Sequence, residues 1–228
     1  MLPLVLIPGM MCDARMWGGL PAALHPHRVI HALPTGGETM AEIAQAILAD
    51  APQRFALAGL SMGGIVAMEM LAQAPDRIAR LALLDTNPLA ERAELQARRK
   101  LQIDRALAGD LAGVMRDEMK PNYLADATDG AVLDLCMDMA LSLGPEVFCR
   151  QSLALRDRND RTAALAAFTG PALVLMGAED RLCPRDRHDL MHGLMPQSRL
   201  VVVEGAGHLP PLERPAETLL AFKDWLSR

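Results

Sequence analysis

The sequence predicts an α/β protein built on a doubly wound parallel sheet, and two observations carry that reading. Six short apolar runs, at 2–7, 28–33, 55–60, 78–84, 172–176 and 199–203, are near-continuous rather than alternating. That is the pattern of strands covered on both faces. Helical patterns lie between them, and strand–helix repetition of this kind winds with right-handed crossovers. A third feature marks a departure: between 88 and 168 there is no convincing strand at all.

The elements follow in order. "MLPLVLIPGM" is apolar, but it has no basic lead-in and no small-residue cleavage site. No apolar run is long enough to span a bilayer, so the opening reads as a strand that begins almost at the first residue. "HPHRVIH" is a polar lead-in to the second strand; His25, His27 and His31 have no carboxylate pattern beside them and are not read as a metal cluster. Thr39-Met-Ala-Glu42 is a capping box, in which each end residue satisfies a free N–H near the other, and it opens a helix to about Asp50. After the strand at 55–60, Ile65, Met68, Leu71 and Ala72 recur at helical spacing until Pro75 stops the helix.

The strand at 78–84 ends in "LLDTNP", and the long helical segment begins. Helices are expected at 90–108, 111–119, 130–143 and 146–156, broken at Gly109, Pro121, Gly144 and Pro145. At about eighty residues the segment exceeds an ordinary connection. Its ends return to the same sheet, so it reads as a helical cap inserted between the fourth and fifth strands. The core is then 1–87 and 169–228, and the cap 88–168. After the fifth strand a helix at 184–194 opens with proline at an early position. The sixth strand and a helix at 215–226 close the chain.

Composition narrows the function. Of 228 residues, 51% are hydrophobic, enough for a sizeable core. A net charge of −5 argues against a nucleic-acid surface, which needs a basic patch. Cys12, Cys136, Cys149 and Cys183 have no CxxC spacing and read as reduced thiols in a cytoplasmic protein, with no metal site and no cofactor. His188 and His192 lie four apart on one helix but lack the glutamate of a zinc motif; they read as surface or partly buried residues.

"FALAGLSMGG" carries the chemistry. The chain has five serines, and Ser61 alone stands between glycines, Gly59 and Gly63, where a strand meets a helix. A hydroxyl is a poor nucleophile unless it is exposed, next to a base and near oxyanion donors. A sharp strand-to-helix turn lifts it above the sheet, and the crowded backbone there needs small flanking residues. Gly64 lets the helix pack close. His208, just past the sixth strand, is the candidate base, and strand C-termini are where open α/β sheets bind ligands. Asp180, in "GAEDRLCP", follows the fifth strand; Glu179 is its neighbour, and Asp85 also ends a strand.

Taken together, "GLSMGG", "GAEDRLCP" and "GAGHLPPLERP" resemble the nucleophile elbow, acid loop and histidine loop of the α/β-hydrolase superfamily. The resemblance covers 1–87 and 169–228. It implies Ser61 as nucleophile, His208 as general base then acid, and Asp180 as the carboxylate that orients it. Asp85 matches a position used by a minority of members. The family's usual His-Gly after this first strand is replaced by Pro8-Gly9, which leaves the backbone donors of Met10, or Met11, and Met62 for the oxyanion hole. The chain starts where family members have their third strand, which implies six parallel strands with 28–33 at one edge.

The resemblance implies a serine hydrolase that cleaves a small or medium carboxylic ester through an acyl-enzyme. An enol-lactonase, thioesterase, carbon–carbon bond hydrolase or perhydrolase would use the same triad, and a non-catalytic ligand-binding protein on this fold is the reading from another class. The expected partner is a small acyl substrate, not nucleic acid or membrane. Met11, Met115, Met119, Met137 and Met139 are candidates for an adaptable apolar pocket, or simply fill an aromatic-poor core. Arg98-Arg99-Lys100 reads as a solvated helix face.

Overall fold

Strands β1 (Leu4–Ile7), β2 (Val29–His31), β3 (Phe55–Leu60), β4 (Ile78–Leu84), β5 (Ala172–Gly177) and β6 (Arg199–Val203) form one sheet. Its order is β2-β1-β3-β4-β5-β6 and every neighbouring pair is parallel, in a computed structural model that describes residues 1–126 and 129–228. The edge position of β2 and the six-strand count are as the sequence predicts.

The helices are α1 (Leu20–Ala23), α2 (Met40–Asp50), α3 (Met62–Gln73), α4 (Ala93–Arg105), α5 (Leu111–Val114), α6 (Gly130–Arg156), α7 (Thr162–Ala167), α8 (Arg185–Leu194), α9 (Pro210–Glu213) and α10 (Pro215–Ser227). The capping box at α2 is formed: Glu42 N–H donates to Thr39 Oγ1, and Glu42 Oε2 accepts from Thr39 N–H. The short α1, α7 and α9 are additions to the sequence reading.

Strand side chains alternate between two cores. Val5, Ile7, Leu57 and Leu83 pack with Ile43, Val66 and Met191 of α2, α3 and α8. Leu4, Leu6, Ala58 and Leu84 pack on the other face with Trp17, Leu20, Phe222 and Trp225. The inner strands β1, β3 and β5 are buried on both faces, which is why they read as continuous apolar runs; each buried Leu or Ile contributes roughly 1.5–3 kcal/mol.

The segment between β4 and β5 is helical, with wide turns at Ala106–Asp110 and Met115–Met119. Gly109 breaks it at φ 94°, and Gly144, at φ 82° and ψ 173°, kinks α6 just before Pro145. α7 packs against α3 and α8. Among the described residues no helix is long and apolar enough to cross a membrane.

Candidate active site

Ser61 sits between β3 and α3 with φ 55° and ψ −119°. Its N–H donates to Leu84 O, and its carbonyl accepts from Gly64 N–H and Thr86 Oγ1. The flanking glycines are steric necessities. A Cβ at Gly59 would lie 2.2 Å from Gly63 O, one at Gly63 2.1 Å from Ile7 O, and one at Gly64 2.6 Å from Thr86 Oγ1. Ser61, Met11 and Asp85 are the non-glycine residues at positive φ among the described residues, and each follows the C-terminal end of a strand: β3, β1 and β4. Such strain persists only where the surroundings over-determine it.

His208 and Asp180 meet above β5 and β6. Nδ1 of His208 lies 2.9 and 3.0 Å from the Asp180 oxygens, with both side chains buried. Asp180 Oδ1 also accepts the N–H groups of Leu182 and Cys183 at 2.8 and 3.2 Å. Burial works against the Asp180 charge. The His208 partner and these two N–H groups outweigh it and hold the carboxyl below its ordinary value. An ionised Asp180 makes Nδ1 the donor and leaves Nε2 with a lone pair.

Asp85 faces Asp180. Its Oδ1 accepts Gly177 N–H at 2.8 Å, while Oδ2 is sealed and has no donor. Burial, and then the charge of Asp180, push the Asp85 carboxyl well above its ordinary value. Glu179 is exposed.

The oxyanion candidates separate. Met11 N–H is engaged by Gln151 Oε1 at 2.9 Å. Met10 N–H has no partner among the described residues, and Met62 N–H is the first of α3. First-turn N–H groups have no intrahelical acceptor and favour negative charge.

Ser61, His208, Met10 and Met62 share a cavity of about 360 Å³ with residues of the helical segment. Met119 lines it, but Met11, Met115, Met137 and Met139 do not, which corrects the expectation of a methionine-lined pocket. Met11 and Met115 are sealed in the core, Met137 packs against it, and Met139 Sδ accepts Asp13 N–H at 3.4 Å. Arg98 and Arg99 line the cavity, so the basic run is not simply a solvated face: Arg98 pairs with Glu118, and Arg99 with the buried Glu91. Arg98 and Lys100 are exposed and Arg99 is not. His188 is fully buried rather than superficial, because α8 turns that face onto β5 and β6.

Asp180, Cys183 and His208 each offer a metal-ligand atom within 4.8 Å of the others. They fit a metal poorly. Burial, then the Asp180 and Asp85 charges, push the Cys183 thiol well up, so it is no thiolate, and His208 and Asp180 are bonded to each other.

Four residues escape the sequence reading. The carbonyl of Tyr123 accepts His208 N–H at 2.7 Å, and its ring stacks on the imidazole with centroids 6.3 Å apart. A Cβ at Gly207 would strike the backbone of residues 123–125. Glu213 accepts from Gly207, Leu209 and Ala125 N–H, which folds the histidine loop. Gln151 bridges Met11 N–H and Pro34 O. The "HLPPLERP" spacing, with an acid five residues after the histidine, is the only one of these signals visible in sequence.

Comparison with known proteins shows the family. A pimeloyl-[acyl-carrier protein] methyl ester esterase from Aromatoleum aromaticum is 28% identical, covering 97% of this chain and 96% of that protein. A biotin biosynthesis bifunctional protein from Teredinibacter turnerae is 27% identical over 77% of this chain, which spans only 33% of that longer protein. A thermophilic esterase from Thermogutta terrifontis, solved with malate bound, superposes with a TM-score of 0.91 at 30% identity, over 100% of this chain and 90% of that one. Residues 4–221 match the alpha/beta hydrolase family, and with the six-stranded parallel sheet on the page the chain belongs to that family and is a hydrolase.

Proposed function

We propose that the protein is a serine hydrolase that cleaves a small or medium carboxylic ester through an acyl-enzyme, with Ser61, His208 and Asp180 as its triad. The observation that carries this is the buried pair of His208 Nδ1 and Asp180, held on the same cavity as a serine at positive φ. Ser61 attacks the ester carbonyl while His208 Nε2 takes its proton. The N–H groups of Met10 and Met62 receive the oxyanion. The imidazolium, stabilised by Asp180, returns the proton to the leaving alcohol. Water then repeats the sequence on the acyl-enzyme and frees the acid.

The helical segment at 88–168 acts in this reading as a cap that shapes the acyl pocket, since Glu91, Arg99 and Met119 reach the cavity from it. Relatives named as ester-cleaving enzymes support an ester over a lactone, thioester or carbon–carbon bond. A fluorophosphonate should label the Ser61 peptide, read by mass spectrometry. Ser61→Ala should lose on the order of a million-fold in turnover of p-nitrophenyl esters. Labelling at Ser142 or Ser152 instead would overturn the assignment.

A further inference from the structure

The cavity's charge is at odds with the chain's. The protein carries a net −5, yet five arginines (Arg92, Arg98, Arg99, Arg158 and Arg187) line the cavity against two glutamates, Glu91 and Glu118. Glu118 is used up: it pairs with Arg98 and Arg105 and accepts from Gln102. Glu91 is shared. Its Oε2 alone accepts Arg99 Nε and Nη2, at 3.0 and 2.8 Å, and Arg158 Nη1 at 3.1 Å.

These groups are out of water: the side chains of Glu91, Arg158 and Arg99 are 2%, 6% and 16% exposed. Two buried guanidiniums therefore share one carboxylate. Arg187, half-buried, adds a third guanidinium, and its acid partner among the described residues is Asp186, 3.5 Å away and itself exposed. Burial, with the Arg99 and Arg187 charges beside it, pulls Arg158 below its ordinary value while Glu91 opposes. Arg158 Nε is satisfied by Leu89 O, but Nη2 has no partner among the described residues and is not a sealed atom. Excess buried positive charge is costly unless an anion meets it.

We propose that Arg99, Arg158 and Arg187 form a carboxylate-binding subsite, and that the preferred ester has an acyl group ending in a carboxylate. This deepens the serine-hydrolase reading and rests on it. Met10 gives the scale. Its N–H is the oxyanion candidate and its Sδ lies 3.9 Å from Arg99 Nη1. A methionine spans about 5 Å from N to Sδ, so the guanidinium lies within about 9 Å of the oxyanion donor. After allowing for a hydrogen bond at each end, that suits a short dicarboxylic half-ester and not a long-chain one. The guanidinium fork suits a carboxylate in two-point contact.

The test compares p-nitrophenyl hemiglutarate with p-nitrophenyl 5-methylhexanoate, in which an isopropyl group replaces the carboxylate at equal shape. A charge-assisted contact of this kind predicts kcat/KM at least about tenfold higher for the hemiglutarate. Arg187→Met and Arg99→Met should each cut that ratio severalfold, with the loss greater for the charged ester. Arg187 is half-buried and its substitution should fold, which melting curves would verify if Arg99→Met fails. A wild-type preference for the neutral ester, or a ratio unmoved by Arg187→Met, overturns the subsite. Faster turnover of 4-carboxyphenyl acetate than of the hemiglutarate would overturn its acyl-side placement. Labelling of Ser61 by a fluorophosphonate is scored separately, so failure of the serine mechanism is distinguishable from failure of this inference.

Discussion

Asp180→Asn isolates the role of the carboxylate. The Leu182 and Cys183 N–H groups both donate to Oδ1, so the amide at position 180 must keep its oxygen there; an amide nitrogen in that place would face two donors. Its NH₂ then takes the Oδ2 position, 2.9 Å from His208 Nδ1. Nδ1 is also 3.0 Å from the retained oxygen, but that oxygen already serves two N–H groups and no longer carries charge, so the NH₂ at 2.9 Å favours the tautomer protonated at Nε2. The nitrogen facing Ser61 then has no lone pair with which to accept the hydroxyl proton. Turnover should fall by roughly ten-thousand-fold, or about 5.4 kcal/mol of transition-state stabilisation. The assay is steady-state hydrolysis of a p-nitrophenyl ester, with the rate of fluorophosphonate labelling read beside it and melting to confirm folding. A variant that keeps a tenth of wild-type activity, while Asp85→Asn is crippled, would refute this reasoning and transfer the role to Asp85.

Three further outcomes follow from the same geometry. Asp85→Asn should keep kcat within about threefold, because the amide oxygen can still accept from Gly177 N–H and a neutral side chain puts no like charge beside Asp180. The raised Asp85 contributes stability below its unfolded value that is lost as pH rises, so the amide should equal or exceed wild type in melting temperature at pH 7; a lower one, with full activity, would argue for an ionised Asp85. Burial pushes His188 down to about 4, so the unfolded chain takes up a proton first as pH falls from 6.5 towards 4, and stability drops by up to about 3 kcal/mol. Urea unfolding of His188→Leu should show a flatter acid limb, and an unchanged slope would rule the residue out as its source. Gly64→Ala should cost about 1–3 kcal/mol and slow turnover, since its new methyl meets the Thr86 hydroxyl that holds the Ser61 carbonyl; an unperturbed melting curve would contradict the contact.

What sequence could convey here was local. The strands are legible because both faces of Leu57 and its neighbours are dry, which leaves no polar alternation to confuse them. The glycines at 59, 63 and 64 are legible because contacts within a few residues of the turn demand them. The acid-loop resemblance selects Asp180 over Asp85; the sequence does not show that the two carboxyls are neighbours, which disfavours the Asp85 charge. Contacts across long separations left no trace: Gln151 and Met11 are 140 residues apart. The methionines misled for a physical reason. Wide turns at Ala106–Asp110 and Met115–Met119 shift the helical register, so Met115 enters the core while Met119 reaches the cavity. Arg99 misled because its partner, Glu91, lies before the start of α4, and nothing in a basic run reveals that the chain doubles back on it.

Gln151 ties two parts of the enzyme that are free to diverge separately in principle. Its carbonyl occupies Met11 N–H, its amide grips Pro34 O, and Met139 on the same helix takes up Asp13 N–H. The loop after β1 thus borrows its acceptors from the element proposed to choose the substrate. A chimera that exchanged 88–168 for the matching stretch of a relative would import a new pocket and, with it, whatever stands at position 151. If that residue could not accept, Met11 N–H would be left bare beside Met10, and the loop would be free to turn the wrong amide towards the substrate. Retargeting by transplantation therefore calls for keeping two side chains on the donor helix that never touch the ligand.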